Sequence, residues 1–293
     1  MRGARKKITR TRLYIVATFV LLGCIGIFIF SPQAYDTFTE AGIFAPEAAS
    51  MGELPDLEQF KSLNEELRRE GSTRIPILVY HSIRPYTIFD TKLVKRFVVT
   101  PEVLDAQLAY IKAQGYEAVS LEAVAKHFTE KAVLPAKPIV ITFDDGWKNQ
   151  YTNALPILQK HGMEATFFVF TEPVGRRSFV NWEQLTALVA AGMEIGDHTE
   201  THPYLYQIKD QKRLDREMIE SKKLLEEKLG ITVQVFATPF AKTDPKIEAT
   251  AKRAGYLAAR TESWGFYQST NTLNLTGLEA PTTLARLKEL LSI

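Results

Sequence analysis

Three short stretches of this chain carry side chains whose types and spacing suit bond-breaking chemistry. The apolar run at residues 138–143 (PIVITF) ends in Asp144-Asp145-Gly146. Two adjacent carboxylates at the end of a buried strand are costly to hold together without a cation or a shared proton. By itself, Asp-Asp-Gly also reads as a surface turn. The second stretch is His198-Thr199-Glu200-Thr201-His202. Histidines four residues apart reach one metal ion when the segment is helical or tightly turned; a pair of exposed loop histidines is the plainer alternative. Asp145, His198 and His202 make a two-histidine, one-carboxylate set, which leaves positions open for water and substrate, as a catalytic metal site needs. The third feature is His81, at the end of the apolar run at 75–80.

These residues are separated by an alternation of short β-type runs and amphipathic helical stretches. Strands are expected at 75–80, 117–120, 138–143, 165–170, 193–195, 233–237, 256–260 and 274–278, and helices at 101–114, 151–161, 182–191, 211–229 and 245–254. Several of the helical patterns end at a glycine, the residue that best closes a helix in the left-handed conformation. Strands alternating with helices of this length imply parallel strands joined by crossovers, and seven or eight such repeats imply an α/β fold of the (β/α)-barrel type. Functional residues on such barrels gather at the C-terminal ends of the strands. His81, the Asp144–Asp145 pair and the histidine pair would therefore meet on one rim. The charged stretch 211–229 reads as a solvated helix face, because its opposite charges fall three or four apart. His127 and His161 lie in helical patterns and read as structural, as does Trp182 at a helix start.

Charge is unevenly placed. Six of the 36 basic residues lie in the first twelve positions, which hold no acid; the remainder carries 30 basic against 34 acidic residues, a net −4. A mildly acidic body is a poor nucleic-acid binder, since that binding rests on neutralising phosphates. The basic head (1–12) runs into eighteen uncharged residues at 13–30. As a helix these span about 27 Å, close to the roughly 30 Å hydrocarbon core of a bilayer. A transmembrane anchor with everything after it outside the cytoplasm is the expectation, with a cleaved signal peptide (and secretion) as the alternative. Cys24 sits in a loose lipobox-like context, but the apolar run continues past it. It is the only cysteine, so no disulfide is expected. Residues 31–74 read as a stalk, with Leu54, Leu57, Phe60, Leu63 and Leu67 at helical spacing; docking of that stripe on the domain is the simplest reading. The domain itself is expected at 75–293.

The sequence resembles the polysaccharide deacetylases with a NodB-homology domain, carbohydrate esterase family four. The family's Thr-Phe-Asp-Asp-Gly motif stands intact as residues 142–146, and its His-Ser/Thr-x-x-His motif as 198–202. The resemblance covers roughly residue 75 to the C-terminus and implies a distorted barrel and hydrolysis of an acetamide on an N-acetylated polysaccharide. It assigns Asp145, His198 and His202 to a divalent metal, with zinc the default and cobalt, nickel or iron able to occupy such a site. Asp144 would be the general base. The usual general-acid histidine near the C-terminus is missing, since no histidine follows His202. The poly-N-acetylglucosamine deacetylases of biofilm formation place it early, in a Pro-x-Leu-x-Tyr-His segment that residues 76–81 resemble, so His81 would be the acid. An exopolysaccharide of N-acetylglucosamine is the favoured substrate on that ground, with peptidoglycan next. The third motif, usually Arg-x-Pro-Tyr/Phe, reads Ala237-Thr238-Pro239-Phe240. Its arginine is absent; Lys242 and Arg260 are candidates to replace it. Pro239 and Phe240 are retained, with the Phe240 N–H the implied oxyanion donor, and Trp264, in a polar loop, is the candidate to stack on a sugar. An O-acetyl esterase using the same site and a non-catalytic carbohydrate-binding protein are the rival functions.

Overall fold

The computed structural model describes residues 54–293 apart from Glu262. The expected basic head, the anchor at 13–30 and the stalk up to residue 53 lie outside the described residues; among the described ones, no helix is long and apolar enough to cross a membrane.

Eight strand segments make the central sheet: β1 (Ile77–Tyr80), β2 (Pro138–Phe143), β3 (Thr166–Val169), β4 (Glu194–Asp197), β5 (Val235–Ala237), β6 (Ala258–Thr261), β7 (Leu275–Thr276) and β8 (Leu278–Glu279). Their order is β7-β6-β5-β4-β3-β2-β1-β8, and every pairing is parallel. Strands β7 and β8 are one stretch of chain. Its first half pairs with β6 and, after Gly277, its second half pairs with β1. That single kinked strand bridges the two ends of the sheet and nearly closes the barrel. Gly277 is needed at the switch. A Cβ there would lie 2.9 Å from Arg260 Cδ, 3.0 Å from Val79 Cγ2 and 3.1 Å from the Thr261 carbonyl oxygen, which is backbone and cannot rotate away. We expect Gly277→Ala to destabilise the domain by about 1–3 kcal/mol through overpacking, read as a lower urea midpoint; an unchanged midpoint would show that the closure tolerates a side chain.

Helices pack around the barrel: α1 (Leu57–Leu67), α2 (Pro101–Ala113), α3 (Leu121–Glu130), α4 (Leu155–His161), α5 (Trp182–Ala190), α6 (Gln211–Asp215), α7 (Ser221–Leu229), α8 (Pro245–Ala254) and α9 (Leu284–Leu291). The strand at 117–120 is reduced to Glu117–Ala118, paired with the start of β2. Helices α2, α5, α7 and α8 fall where the periodicity puts helical stretches, and α1 takes up most of the Leu54–Leu67 stripe. Asp56 and Gln59 form a capping box at its start. Phe60 is fully buried edge-on against Phe266, and Asn64 accepts a 2.8 Å bond from the Phe266 N–H.

Side chains alternate across the barrel wall, as strand geometry requires. Ile77, Val140, Phe168, Val235, Ala237, Ala258 and Leu275 form one buried cluster with Leu121, Val124 and Ala125 of α3. Their chain neighbours Leu78, Ile141, Phe167, Phe236, Ala259 and Leu278 belong to a second, larger cluster shared with residues of α2, α4, α5 and α7–α9. The first set faces the barrel interior. Counting by twos along each strand continues that inward set to His81, Asp144, His198, Arg260 and Glu279. The fold thus aims five polar side chains at one end of the barrel axis.

Candidate metal and catalytic site

The end of β2 supplies the carboxylates. Asp144 continues the ladder, its N–H bonding the Tyr80 carbonyl at 2.9 Å. The chain then turns through left-handed residues, Asp145 (φ 75°) and Gly146 (φ 70°). Such conformations are rare for non-glycine residues and collect at functional sites. Among the described non-glycine residues with positive φ, all but Lys131 lie here: Asp145, Thr199 (77°), His202 (57°), Phe240 (58°) and Ala241 (63°).

Asp145 is fully buried and its two oxygens are differently engaged. Oδ2 accepts a 2.8 Å bond from Trp147 Nε1. Oδ1 accepts none from the described residues and lies 3.4 Å from His202 Nε2 and 3.7 Å from His198 Nε2. The two Nε2 atoms are 3.2 Å apart. Donors about 2.0–2.2 Å from a tetrahedral metal lie roughly 3.3–3.5 Å from one another, so the spacing fits one ion. The tautomer fits as well. His198 Nδ1 is 2.8 Å from the Ala237 carbonyl, which can only accept, so Nδ1 holds the proton and Nε2 presents its lone pair.

The histidines converge through a tight turn, not a helix. The His202 N–H bonds Thr199 Oγ1 at 2.9 Å. Glu217 receives the Thr201 N–H at 2.9 Å and its hydroxyl at 2.7 Å, and its own carbonyl takes the Glu200 N–H. Glu217 is buried on a π-turn at residues 216–220 that interrupts the expected helix 211–229. The solvated-face reading of that stretch is therefore corrected. Glu217, Ser221 and Lys222 face inward, and the extra residue of the π-turn is what aims Glu217 at the histidine loop. A second π-turn, Gln150–Ala154, starts the helical stretch at 151–161. From it Gln150 Nε2 donates to the carbonyls of His81 and Asp144, tying the ends of β1 and β2 together.

Two further pairs flank the three clustered donor groups. Arg260, fully buried on β6, donates through Nη2 to Asp144 Oδ2. In the sheet register Arg260 faces Ala237, the position from which the motif's arginine is missing. The guanidinium has moved one strand sideways at the same level of the barrel. Lys242, the other candidate, lies with its Nζ over the Tyr206 ring at 5.2 Å. The second pair is His81 and Glu279, with Nδ1 3.3 Å from Oε1. The His81 ring also packs edge-on to Phe97 at 5.1 Å. Glu279 was not among the sequence candidates; its one signal is an acid inside the apolar closing strand. Burial pushes its carboxyl up from the usual range, opposed by the His81 and Arg260 charges.

Burial dominates the electrostatics. It raises Asp145 to about 7, with the neighbouring Asp144 charge adding to the effect and His81 opposing it, and it drops His198 to about 3 and His202 well below its usual value. Both imidazoles therefore stay neutral and able to coordinate. Three buried carboxylates (Asp144, Asp145, Glu279) face one buried guanidinium. When ionised they carry two negative charges beyond it, which a divalent cation would balance.

Phe240 is buried, its ring stacked on Tyr204 at 4.0 Å and edge-on to the His202 ring at 4.7 Å, so it braces that imidazole. Pro239 is buried at the start of the same turn. Trp264 is half-buried against the core in the loop after β6, and Trp182 is half-buried at the start of α5. His161 Nε2 sits 2.8 Å from Asp105 and His127 Nδ1 2.9 Å from the Ala132 carbonyl, both structural contacts away from the cluster.

The sequence profile of the polysaccharide deacetylase family matches residues 131–259. That span holds Asp144, Asp145, His198, His202 and Phe240 but not His81, Arg260 or Glu279. A peptidoglycan-N-acetylglucosamine deacetylase of Bacillus cereus is 32% identical over 145 residues, 49% of this chain and 64% of that protein. A poly-beta-1,6-N-acetyl-D-glucosamine N-deacetylase of Staphylococcus epidermidis is 30% identical over 131 residues, 42% of this chain and 45% of that protein. The chain thus spans less than two thirds of these relatives' lengths. Among solved structures, the Streptococcus pyogenes deacetylase PplD, in complex with acetate, superposes with a TM-score of 0.68 at 27% identity, covering 74% of this chain and 97% of that one. Barrel, motif spacing and side-chain convergence agree with that match: residues 131–259 carry the sequence pattern of the polysaccharide deacetylase family.

Proposed function

We propose that the chain is a divalent-metal-dependent hydrolase that removes N-acetyl groups from an N-acetylglucosamine-containing polysaccharide, an exopolysaccharide or peptidoglycan, outside the cytoplasm. The convergence of Asp145 Oδ1 and the two histidine Nε2 atoms within 4.8 Å of one another carries this reading. Two nitrogens and one carboxylate oxygen suit zinc, with cobalt, nickel or iron as substitutes. The uncharged run at 13–30 behind a basic head supports an outward-facing, membrane-held location.

When bound, the ion supplies Lewis-acid polarisation of the acetamide carbonyl and acidifies water. The chain's own residues do the rest. Arg260 holds Asp144 Oδ2 and leaves Oδ1 to take a proton from the attacking water. The Phe240 N–H, on its left-handed turn at the rim, is the donor offered to the developing oxyanion. His81 protonates the leaving amine, without which the tetrahedral species collapses back to the amide. Glu279 Oε1 faces its Nδ1 at 3.3 Å and orients the ring.

Loss of acetate release from N-acetylglucosamine oligomers after chelation, with recovery on adding zinc, tests the activity. For the acid, His81→Ala is expected to lower kcat by about 10²–10⁴-fold with KM within a few-fold. Glu279→Gln weakens the contact that holds the His81 ring, so kcat should fall several-fold with KM within a few-fold. An unchanged kcat would detach Glu279 from the proton donor.

A further inference from the structure

The histidine loop hangs from the end of β4, whose last residue is Asp197. Asp197 is in register with Val169 of β3 and Phe236 of β5, both in the cluster shared with the helices. Its carboxylate therefore points out of the barrel wall while the next side chain, His198, points in. A fully buried carboxylate in that layer is costly unless donors meet it, and two hydroxyls do. Ser221 Oγ, at the start of α7, lies 2.8 Å from Asp197 Oδ2, and Tyr256 Oη, just past α8, lies 2.5 Å from the same oxygen. Each hydroxyl also reaches a carbonyl of the π-turn at 216–220, Ser221 that of Glu217 at 2.6 Å and Tyr256 that of Met218 at 2.7 Å. Building on the metal-site reading, we propose that Ser221 and Tyr256 are positioning residues for the ion. Acting through Asp197, they set the end of β4, and with it His198, against the π-turn.

The π-turn thereby holds the loop at two points. Glu217 takes the N–H groups of Glu200 and Thr201 and the Thr201 hydroxyl on one side, and the hydroxyl pair takes Asp197 on the other. Between and just beyond these anchors lie Thr199 and His202, both at positive φ. Such conformations persist only where the surroundings over-determine them. Tyr256 is itself well fixed: its ring packs on Phe236 at 5.2 Å, and Lys222 Nζ stands 5.4 Å over it. Burial, with the Asp197 carboxylate beside it, holds the Tyr256 phenol well above its usual value, so it stays protonated and able to donate. A metal centre needs its donor atoms held to within about 0.5 Å, here with the two Nε2 atoms 3.2 Å apart. Hydrogen-bonded partners standing behind the donors are typically worth about 10–100-fold in metal affinity. Ser221 and Tyr256 are buried behind the barrel wall, so their effect reaches the ion only through the loop.

The test is the zinc dissociation constant of the full chain, stripped of metal and titrated in competition with a chelating dye, so that turnover is not needed. Tyr256→Phe and Ser221→Ala each remove one hydroxyl and should each raise that constant about tenfold, and the double variant about 100-fold. Tyr116→Phe is the control. It cuts a 2.7 Å bond from Arg74 at the N-terminal end of β1, the end opposite His81, and should leave zinc affinity as it was. Should Tyr256→Phe fail to fold, Ser221→Ala decides alone, since alanine suits a helix start as a good helix former. Zinc affinity that is unchanged in the folded variants, or that falls as far in Tyr116→Phe, overturns the positioning role. Absence of acetate release by the unmutated, zinc-loaded chain would instead overturn the deacetylase reading and leave the affinity result standing. An unmutated chain that binds no zinc would overturn both.

Discussion

Replacing Asp144 with Asn is expected to lower kcat for acetate release by about 10³-fold, the scale of a lost general base, while the metal content of the protein stays at the unmutated level. The two halves of that result follow from the geometry. Asp144 is not one of the three clustered donor groups; those are Asp145, His198 and His202. Its Oδ2 is held by Arg260, and its Oδ1 makes no hydrogen bond to the described residues. Asparagine keeps the shape and loses the basic site. Loss of the metal together with the activity would place Asp144 among the ligands, and an active, metal-bound variant would give the base role to another group.

The second large effect concerns Arg260. Substitution by Met leaves a buried carboxylate without its countercharge, which typically costs about 3–5 kcal/mol. We expect a correspondingly lower urea midpoint. Adding Asp144→Asn to Arg260→Met removes the uncompensated charge. The double variant should therefore be more stable than Arg260→Met alone, a non-additivity that a double-mutant cycle isolates. Additive effects would mean that the ion pair carries little of the cost. The pair also bears on the rival view of a non-catalytic carbohydrate-binding protein. Ala237 departs from the family's pattern, but the arginine is supplied from the adjacent strand in register with it.

What the sequence made legible was local. The strand ending in Asp144 lies where an unbroken apolar run puts it, and the His-x-x-x-His spacing needed only a turn to bring two rings together. Parallel strands joined by helices followed from the alternation of the two periodicities, and the two-residue repeat then sent His81, Asp144 and His198 inward. Arg260 could be named as a candidate but not chosen over Lys242, because register across strands is written in no single segment. Glu279 was missed for the same reason. It sits opposite Val79, two residues from His81, only once Gly277 has let the last strand change partners. The π-turns escaped because one extra residue in a helix leaves almost no mark on its hydrophobic pattern, yet they place Gln150 and Glu217 where the site needs them.

The most direct test of the central claim is to strip the protein of metal and follow acetate release from N-acetylglucosamine oligomers as zinc is added back. Activity should rise from near zero in proportion to bound zinc and level off at about one ion per chain, the capacity of a single three-ligand site. Acetate release that persists in the stripped protein, or that stays absent at full occupancy, would contradict it.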